Sequence, residues 1–251
     1  MAEADEQWSD GPLDLQTERQ FLIRTDPHCH ILPGLDDGAA DMQMSLAMAR
    51  RAAAAGVRTI IATPHGCHPL VADFMEPAFI YDQVSLLNQA IRSEGIPVTV
   101  KPGSEYLMNA SLPNLFEEGR LTTWAGEGRY ILVELGFRQM LEPAWEVLDY
   151  FIAHGITPIV AHPERYVWLS AESEVAERLV SSDLWLQFNV MSLNGLWGER
   201  SQDLALALAS RTKRWIAGTD SHNTSEKYWG LESAKGVLAM RGLWPPLGVH
   251  S

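Results

Sequence analysis

Short β-rich runs alternate with amphipathic stretches along most of this chain, and this alternation is what most restricts its fold. Seven runs are rich in β-branched and aromatic residues and have the length of strands. Strands that alternate with helices are typical of parallel βαβ units. The predicted strands are residues 21–28, 57–63, 97–103, 130–135, 156–162, 184–189 and 214–220.

The stretches between these runs have the apolar spacing of helices. The clearest, residues 41–56, is rich in Ala, Met and Leu and ends at Gly56, a usual helix terminator. The other predicted helices are residues 77–95, 142–155, 172–182, 201–211 and 224–240, with a shorter helical turn at 113–119.

Together the pattern predicts an α/β fold of seven βα units. Several strands are apolar throughout, as expected when both faces of a sheet are covered. A closed or nearly closed barrel suits this count, and an open doubly wound sheet is the alternative. No linker or repeat divides the chain, so we expect an acidic flexible tail over residues 1–20 and one domain over 21–251.

The charge balance excludes some functions. With 19 Lys and Arg against 32 Asp and Glu, the net charge is −13, which disfavours binding to nucleic acid or to an anionic membrane. Two cysteines are too few for a disulfide framework. The acidic N-terminus lacks the apolar core of a signal peptide, and no apolar run approaches a membrane span. We therefore expect a cytoplasmic protein without membrane insertion.

The positions of the ionisable residues are more informative than their number. Of eight histidines, five lie at or just beyond the C-terminal end of a predicted strand. In a barrel these ends converge on one face, where catalytic residues lie. The five are His28, His30, His65, His162 and His222.

Imidazole and carboxylate groups in this arrangement indicate metal binding. The rings of His28 and His30 point the same way on an extended segment, and Asp220 and His222 repeat that spacing. Nine candidate ligands are too many for one ion and suit two or three. They are the five histidines with Asp37, Glu105, Glu134 and Asp220, and Asp36 lies in the same turn as Asp37.

A site of this composition suits phosphate chemistry. Three divalent ions would outweigh the four carboxylates, so the site would be positive within an acidic protein. Such a site binds a phosphate and supplies a metal-activated hydroxide as nucleophile. Arg165 follows His162 closely and has the forked donors that grip phosphate oxygens.

Seven motifs occur in order along residues 21–240: DPHCH (26–30), LPGLDDGA (32–39), IIATPH (60–65), GSEY (103–106), LVEL (132–135), AHPERY (161–166) and GTDSHN (218–223). They resemble the PHP (polymerase and histidinol phosphatase) superfamily. Within it the chain is most similar to the bacterial manganese-dependent protein-tyrosine phosphatases of capsule and exopolysaccharide synthesis.

This resemblance implies a distorted TIM-like (β/α)7 barrel with a trinuclear site. It implies two to three divalent ions, Mn²⁺ first, with Fe, Zn or Mg as alternatives. The implied substrate is phosphotyrosine on a membrane-associated tyrosine autokinase. It favours Asp37 over Asp36, whose expected role is to cap the turn. The implied ligands are His28, His30, Asp37, His65, Glu105, Glu134, His162, Asp220 and His222.

The resemblance also assigns roles in catalysis and substrate binding. It implies catalytic roles for Arg165, Asp220 and His222, with Arg165 on the phosphate. One departure is Lys227, which stands where the family usually has a second phosphate-contacting arginine, so we expect it to bind substrate as a point charge. Thiol phosphatases are excluded, because neither Cys29 nor Cys67 begins a Cys-x5-Arg motif.

Three other functions compete with this interpretation. One is a small-molecule phosphomonoesterase of the same superfamily, acting for example on histidinol phosphate. Another is a PHP nuclease, which the charge of −13 disfavours. The last is a metal-binding regulatory protein without turnover, which the full set of nine candidate ligands disfavours.

Overall fold

This computed structural model describes residues 24–67, 75–225 and 230–243. Nine short parallel strands form the centre of this part of the chain. Residues 1–20, the predicted tail, lie outside it. The strands are β1 (Thr25–Cys29), β2 (Thr59–Ala62), β3 (His65–Gly66), β4 (Thr99–Lys101), β5 (Glu105–Leu107), β6 (Tyr130–Glu134), β7 (Thr157–Ala161), β8 (Trp185–Asn189) and β9 (Trp215–Gly218).

Helices lie between the strands, largely where the apolar spacing predicts them. Asp41 caps the first helix by accepting a hydrogen bond from the Met44 N–H at 2.8 Å. Within the described ranges no helix reaches the length and apolarity of a membrane span. The helices are α1 (Met42–Ala54), α2 (Pro77–Ser93), α3 (Leu112–Glu117), α4 (Ala144–Ala153), α5 (Glu174–Ser181), α6 (Val190–Leu193), α7 (Glu199–Arg211) and α8 (Leu231–Met240), with 3₁₀ turns at Trp124–Gly126 and Pro163–Arg165.

The sequence predicts seven strands, and the structure has two more in the described residues. The additional strands, β3 and β5, lie beyond the predicted second and third strands, after Pro64 and Pro102. Proline has no N–H to donate to a neighbouring strand, so each of these positions loses a pairing hydrogen bond, although β7 continues through Pro158. Pairing resumes when the Glu105 N–H donates to the Pro64 carbonyl at 3.0 Å. These breaks distort the barrel.

The strands form a closed ring. Their order is β1-β2-β4 in one sheet and β3-β5-β6-β7-β8-β9 in the other, and β2 and β4 continue into β3 and β5. The ring closes because the Asp220 N–H donates to the His28 carbonyl at 2.8 Å and the His30 N–H donates to the Ser221 carbonyl at 2.9 Å. The predicted seven-unit barrel is therefore confirmed, and the open sheet is not observed.

The barrel interior has an apolar floor with polar side chains above it. Successive residues of a strand face opposite sides, so residues two apart share the interior. On β6 the buried Leu132 is followed two residues later by Glu134, and on β8 Trp185 is followed by Gln187. This step to polar residues occurs near the C-terminal ends of the strands, which places a polar site on that face. The apolar floor contains Ile61, Leu132, Ile159, Trp185 and Ile216.

Candidate metal centre

The fold brings all nine predicted ligands together at the C-terminal face of the barrel. The donor atoms of eight of them form three overlapping groups, and each group has the composition of a site for one ion. The ninth, Asp220, lies beside the group that contains His28 and His30. The groups are His30, Asp37, His65 and His222; His28, His30 and Glu105; and Glu105, Glu134 and His162.

The deepest group is centred on His28 of β1 and on His30, which directly follows that strand. The Nε2 atoms of His28 and His30 lie 3.2 Å apart, and Glu105 Oε2 lies 3.3 Å from the first and 3.4 Å from the second. Asp220 Oδ1 lies 3.5 Å from both nitrogens. Neighbouring ligands of one divalent ion are about 3–3.5 Å apart when each lies roughly 2.0–2.2 Å from the ion. The side chains therefore have the spacing that a metal requires.

The group nearest the solvent is built around Asp37. Its Oδ1 lies 3.4 Å from His65 Nε2 and 3.4 Å from His222 Nε2. The Asp37 side chain is 47% exposed and that of His222 is 22% exposed. A substrate can therefore reach the centre from this side.

The third group joins β5, β6 and the end of β7. Glu105 Oε1 lies 2.9 Å from His162 Nε2, while the other Glu105 oxygen faces the pair on β1. Glu105 thus belongs to two groups and could offer one carboxylate oxygen to each. Burial lowers the pKa of His162, which favours the neutral imidazole that binds metals.

Glu134 provides the clearest test of whether a cation fits here. Its side chain is 2% exposed, and within the described residues its carboxyl group has no hydrogen-bond or ion-pair partner. Burial, followed by the charge of the neighbouring Glu105 carboxylate, raises the pKa of Glu134 to about 8. A buried carboxyl group without a partner is costly, and a divalent ion would satisfy it. The residues present therefore fit a metal.

Asp36 orients two of the predicted ligands. Its Oδ2 accepts a hydrogen bond from His30 Nδ1 at 2.7 Å and from the His65 N–H at 2.9 Å. Its Oδ1 accepts the Gly38 N–H at 2.9 Å, which is the turn-capping contact predicted from the sequence. Asp36 therefore supports the site from behind, while its neighbour Asp37 faces it.

Two amides of β8 form a second support that the sequence analysis missed. Gln187 Oε1 lies 2.8 Å from His28 Nδ1, and Gln187 Nε2 donates to Asn189 Oδ1 at 3.0 Å. Asn189 Nδ2 then donates to Asp220 Oδ2 at 2.8 Å. A signal for these residues exists, because Gln187 and Asn189 are polar at period-two spacing in an otherwise apolar strand.

Two predicted ligands have an unusual backbone conformation. His162 follows β7 with φ of 32°, and Asp220 follows β9 with φ of 50°. Residues other than glycine rarely adopt this left-handed region, and such strain is concentrated at functional sites. The turn at each position ends the strand while its side chain stays in the cluster.

Arg165 lies at the mouth of the cluster. Its Nη1 donates to Asp220 Oδ2 at 3.1 Å, and its side chain is 23% exposed. The other guanidinium N–H groups have no hydrogen-bond partner in the part of the chain that the structure describes, so they are available to a ligand. Lys227, the other predicted phosphate contact, lies outside the described residues.

Comparisons with known proteins agree with this geometry. The chain is 32% identical over 213 residues to the tyrosine-protein phosphatase YwqE of Bacillus subtilis, covering 85% of this chain and 83% of YwqE. It is 23% identical over 221 residues to the tyrosine-protein phosphatase CpsB of Streptococcus pneumoniae, covering 86% of this chain and 90% of CpsB.

Solved structures give the same result for the fold. A crystal structure from a study of YwqE and CpsB, described as unique metal-dependent tyrosine phosphatases, matches with a TM-score of 0.79 and 31% identity, covering 86% of each chain. A histidinol phosphate phosphatase of Lactococcus lactis shares the fold with a TM-score of 0.57 and 13% identity, over 88% of this chain and 94% of that one.

The family model for capsular polysaccharide synthesis proteins, CpsB/CapC, matches residues 24–241. That range contains every predicted metal ligand, Arg165 and Lys227. The chain therefore belongs to the CpsB/CapC family of capsular polysaccharide synthesis proteins.

Proposed function

We propose that this chain is a metal-dependent protein-tyrosine phosphatase. The observation that carries the proposal is the convergence of nine imidazole and carboxylate side chains at one end of the barrel, eight of them in three overlapping groups. The relatives named YwqE and CpsB, which are tyrosine-protein phosphatases, support the same activity for this chain.

The proposed ligands are the nine predicted residues. Among them, Glu105 and Asp220 each approach both His28 and His30. We propose two to three divalent ions, of which Mn²⁺ is the first choice and Fe, Zn and Mg are the alternatives. Bound divalent ions supply positive charge to the phosphoryl oxygens and lower the pKa of a water nucleophile.

The chain's own residues bind and orient the phosphoryl group. The N–H groups of Arg165 that do not bond Asp220 can donate to phosphate oxygens. The hydrogen bond from Arg165 to Asp220 keeps the guanidinium beside the cluster. Charge that develops on the phosphoryl oxygens during hydrolysis is then stabilised by a group already in position. Asp220 and His222 complete the proposed catalytic set, and Lys227 adds a charge for the substrate.

A phosphotyrosine on a protein is the substrate that best suits the open side of the centre. Asp37 is exposed and His222 is partly exposed there, so a side chain that projects from a peptide can reach the cluster. We propose a bacterial tyrosine autokinase of polysaccharide synthesis as the physiological substrate. Residues 21–251 act as one catalytic domain in this proposal. Its location is the cytoplasm, which agrees with the free thiols of Cys29 and Cys67.

Hydrolysis of matched substrates by metal-stripped and reloaded protein tests this function. The protein is loaded in turn with Mn²⁺, Zn²⁺ and Mg²⁺ and given a phosphotyrosine peptide, its phosphoserine counterpart and histidinol phosphate. We expect metal-dependent turnover that favours phosphotyrosine and is lost in His28→Ala.

Other outcomes point to the competing functions. Turnover of histidinol phosphate alone would replace the proposal by a small-molecule phosphatase. Retained metal without hydrolysis of any phosphoester would indicate a metal-binding regulatory protein.

A further inference from the structure

Two aromatic rings lie in cation–π contact with the Arg165 guanidinium. Its Cζ lies 4.8 Å from the centre of the Phe137 ring and 4.2 Å from the centre of the Trp197 ring. Phe137 also stacks on His162, with ring centres 5.1 Å apart and planes 12° apart. These contacts form a stack that runs from the candidate metal ligands to the surface, in the order His162, Phe137, Arg165 and Trp197.

The members of this stack come from three separate loops. Phe137 follows β6, Arg165 lies in the turn after β7, and Trp197 lies between α6 and α7. The first two loops are joined by a hydrogen bond of 3.0 Å from the Val167 N–H to the Phe137 carbonyl. The third is fastened by Gln202, whose Nε2 donates to the Leu193 carbonyl at 2.8 Å.

Arg165 needs such support, because its only side-chain hydrogen bond within the described residues is the one to Asp220. A free arginine side chain samples many rotamers, and binding a ligand would then cost conformational entropy. The two neighbouring rings limit the motion of the guanidinium by cation–π contact, which does not use its N–H groups.

We infer that Phe137 and Trp197 are positioning residues that hold Arg165 ready to bind phosphate. This inference rests on the proposed function for its biological meaning, but its physical content is phosphate affinity. Trp197 is 42% exposed, a large exposure for an indole, and removing its ring leaves the metal ligands untouched. It is therefore the better position for a test.

The test measures binding of inorganic phosphate to the metal-loaded protein by calorimetry, together with kcat and KM for a phosphotyrosine peptide. The variants are Trp197→Ala, Trp197→Phe, Arg165→Met and the double variant of Trp197→Ala with Arg165→Met. Trp145→Ala is the matched control, because Trp145 also stacks on an arginine, with Arg178 Cζ 4.1 Å from its ring, but outside the metal cluster.

We expect Trp197→Ala to weaken phosphate binding and lower kcat/KM on the order of tenfold with unchanged metal content. Trp197→Phe should retain most of the phosphate affinity and kcat/KM, because it keeps an aromatic ring. Trp145→Ala should change neither phosphate affinity nor kcat/KM. In the Arg165→Met background, Trp197→Ala has no further effect, because the group that it positions is gone.

Equal losses from Trp197→Ala with and without Arg165 would overturn the inference, as would unchanged phosphate affinity in Trp197→Ala. The calorimetry separates this outcome from failure of the proposed function. A protein that hydrolyses no phosphotyrosine peptide still shows whether Trp197 acts on phosphate through Arg165.

Discussion

The carboxylate of Asp36 accepts a hydrogen bond of 2.7 Å from His30 Nδ1, so the other ring nitrogen of His30 faces the cluster of candidate metal ligands. Because the same oxygen accepts the His65 N–H at 2.9 Å, one carboxylate positions two predicted ligands. Contacts of this kind fix the tautomer and orientation of a ligating histidine. The adjacent aspartates of this turn therefore have different roles. Asp36 orients His30 and His65, whereas Asp37 is itself one of the candidate ligands.

Replacing Asp36 should weaken metal binding. We expect Asp36→Ala to lower metal affinity by roughly 10–100-fold, because His30 loses its orienting partner. Metal titration of the stripped protein measures this change. Asp41→Ala is the control, since it removes the cap of α1 at a cost of about 1 kcal/mol in stability without touching the cluster. Equal metal affinity in the two variants would contradict the role of Asp36.

The amide chain of β8 leads to a second prediction. Gln187→Leu removes the partner of His28 Nδ1 and the donor to Asn189, so phosphatase activity should fall by roughly 10–100-fold. Steady-state kinetics at saturating metal measures the effect. Gln89→Leu, on the exposed face of α2, should retain activity. Wild-type rates in Gln187→Leu would show that His28 needs no support from β8.

Gly38 is a position where even one methyl group does not fit. A Cβ there would lie 2.2 Å from the His30 carbonyl oxygen and 2.4 Å from the His30 Cβ. We expect Gly38→Ala to lower the free energy of unfolding by about 1–3 kcal/mol and to displace His30. Gly236→Ala, in an open position of α8, should instead stabilise the protein by about 0.5–1 kcal/mol. Denaturant unfolding compares the two, and a stable Gly38→Ala with full metal affinity would refute the close packing.

Metal removal should destabilise the fold. The cluster places buried carboxyl groups together, and bound cations offset their desolvation and mutual repulsion. At a free metal concentration near 100 Kd we expect the loaded protein to melt roughly 5–10 °C higher than the chelated protein. Calorimetry with and without chelator measures the shift. Identical melting temperatures would mean that no metal binds the folded state.

The sequence predicts the fold well because its two signals are local and regular. Apolar period and helix stops locate the strands and most helices within a few residues, and the strand ends locate the nine clustered side chains. The short strands β3 and β5, which follow Pro64 and Pro102, were not predicted. The missing N–H of each proline removes a pairing hydrogen bond between them and the preceding strands. The four-residue helix α6 is too short to show a period.

Supporting contacts were harder to predict because they depend on distances across the barrel. Gln187 is 159 positions from His28, and nothing in either local sequence indicates that they touch. The stack of Phe137, Arg165 and Trp197 likewise joins three loops that only the closed barrel brings together. Local patterns identify the groups that do chemistry, whereas their supports follow from tertiary packing.

The most direct test of the metal-centre proposal is the hydrolysis rate of a phosphotyrosine peptide while Mn²⁺ is returned stepwise to metal-stripped protein. We expect no turnover without metal and a rise that reaches its plateau at two to three ions per chain. Glu134→Gln should lower that plateau, because it removes a carboxylate from one of the three candidate ligand groups. Full turnover in the presence of excess chelator would contradict the proposal that the nine-residue cluster is a metal centre.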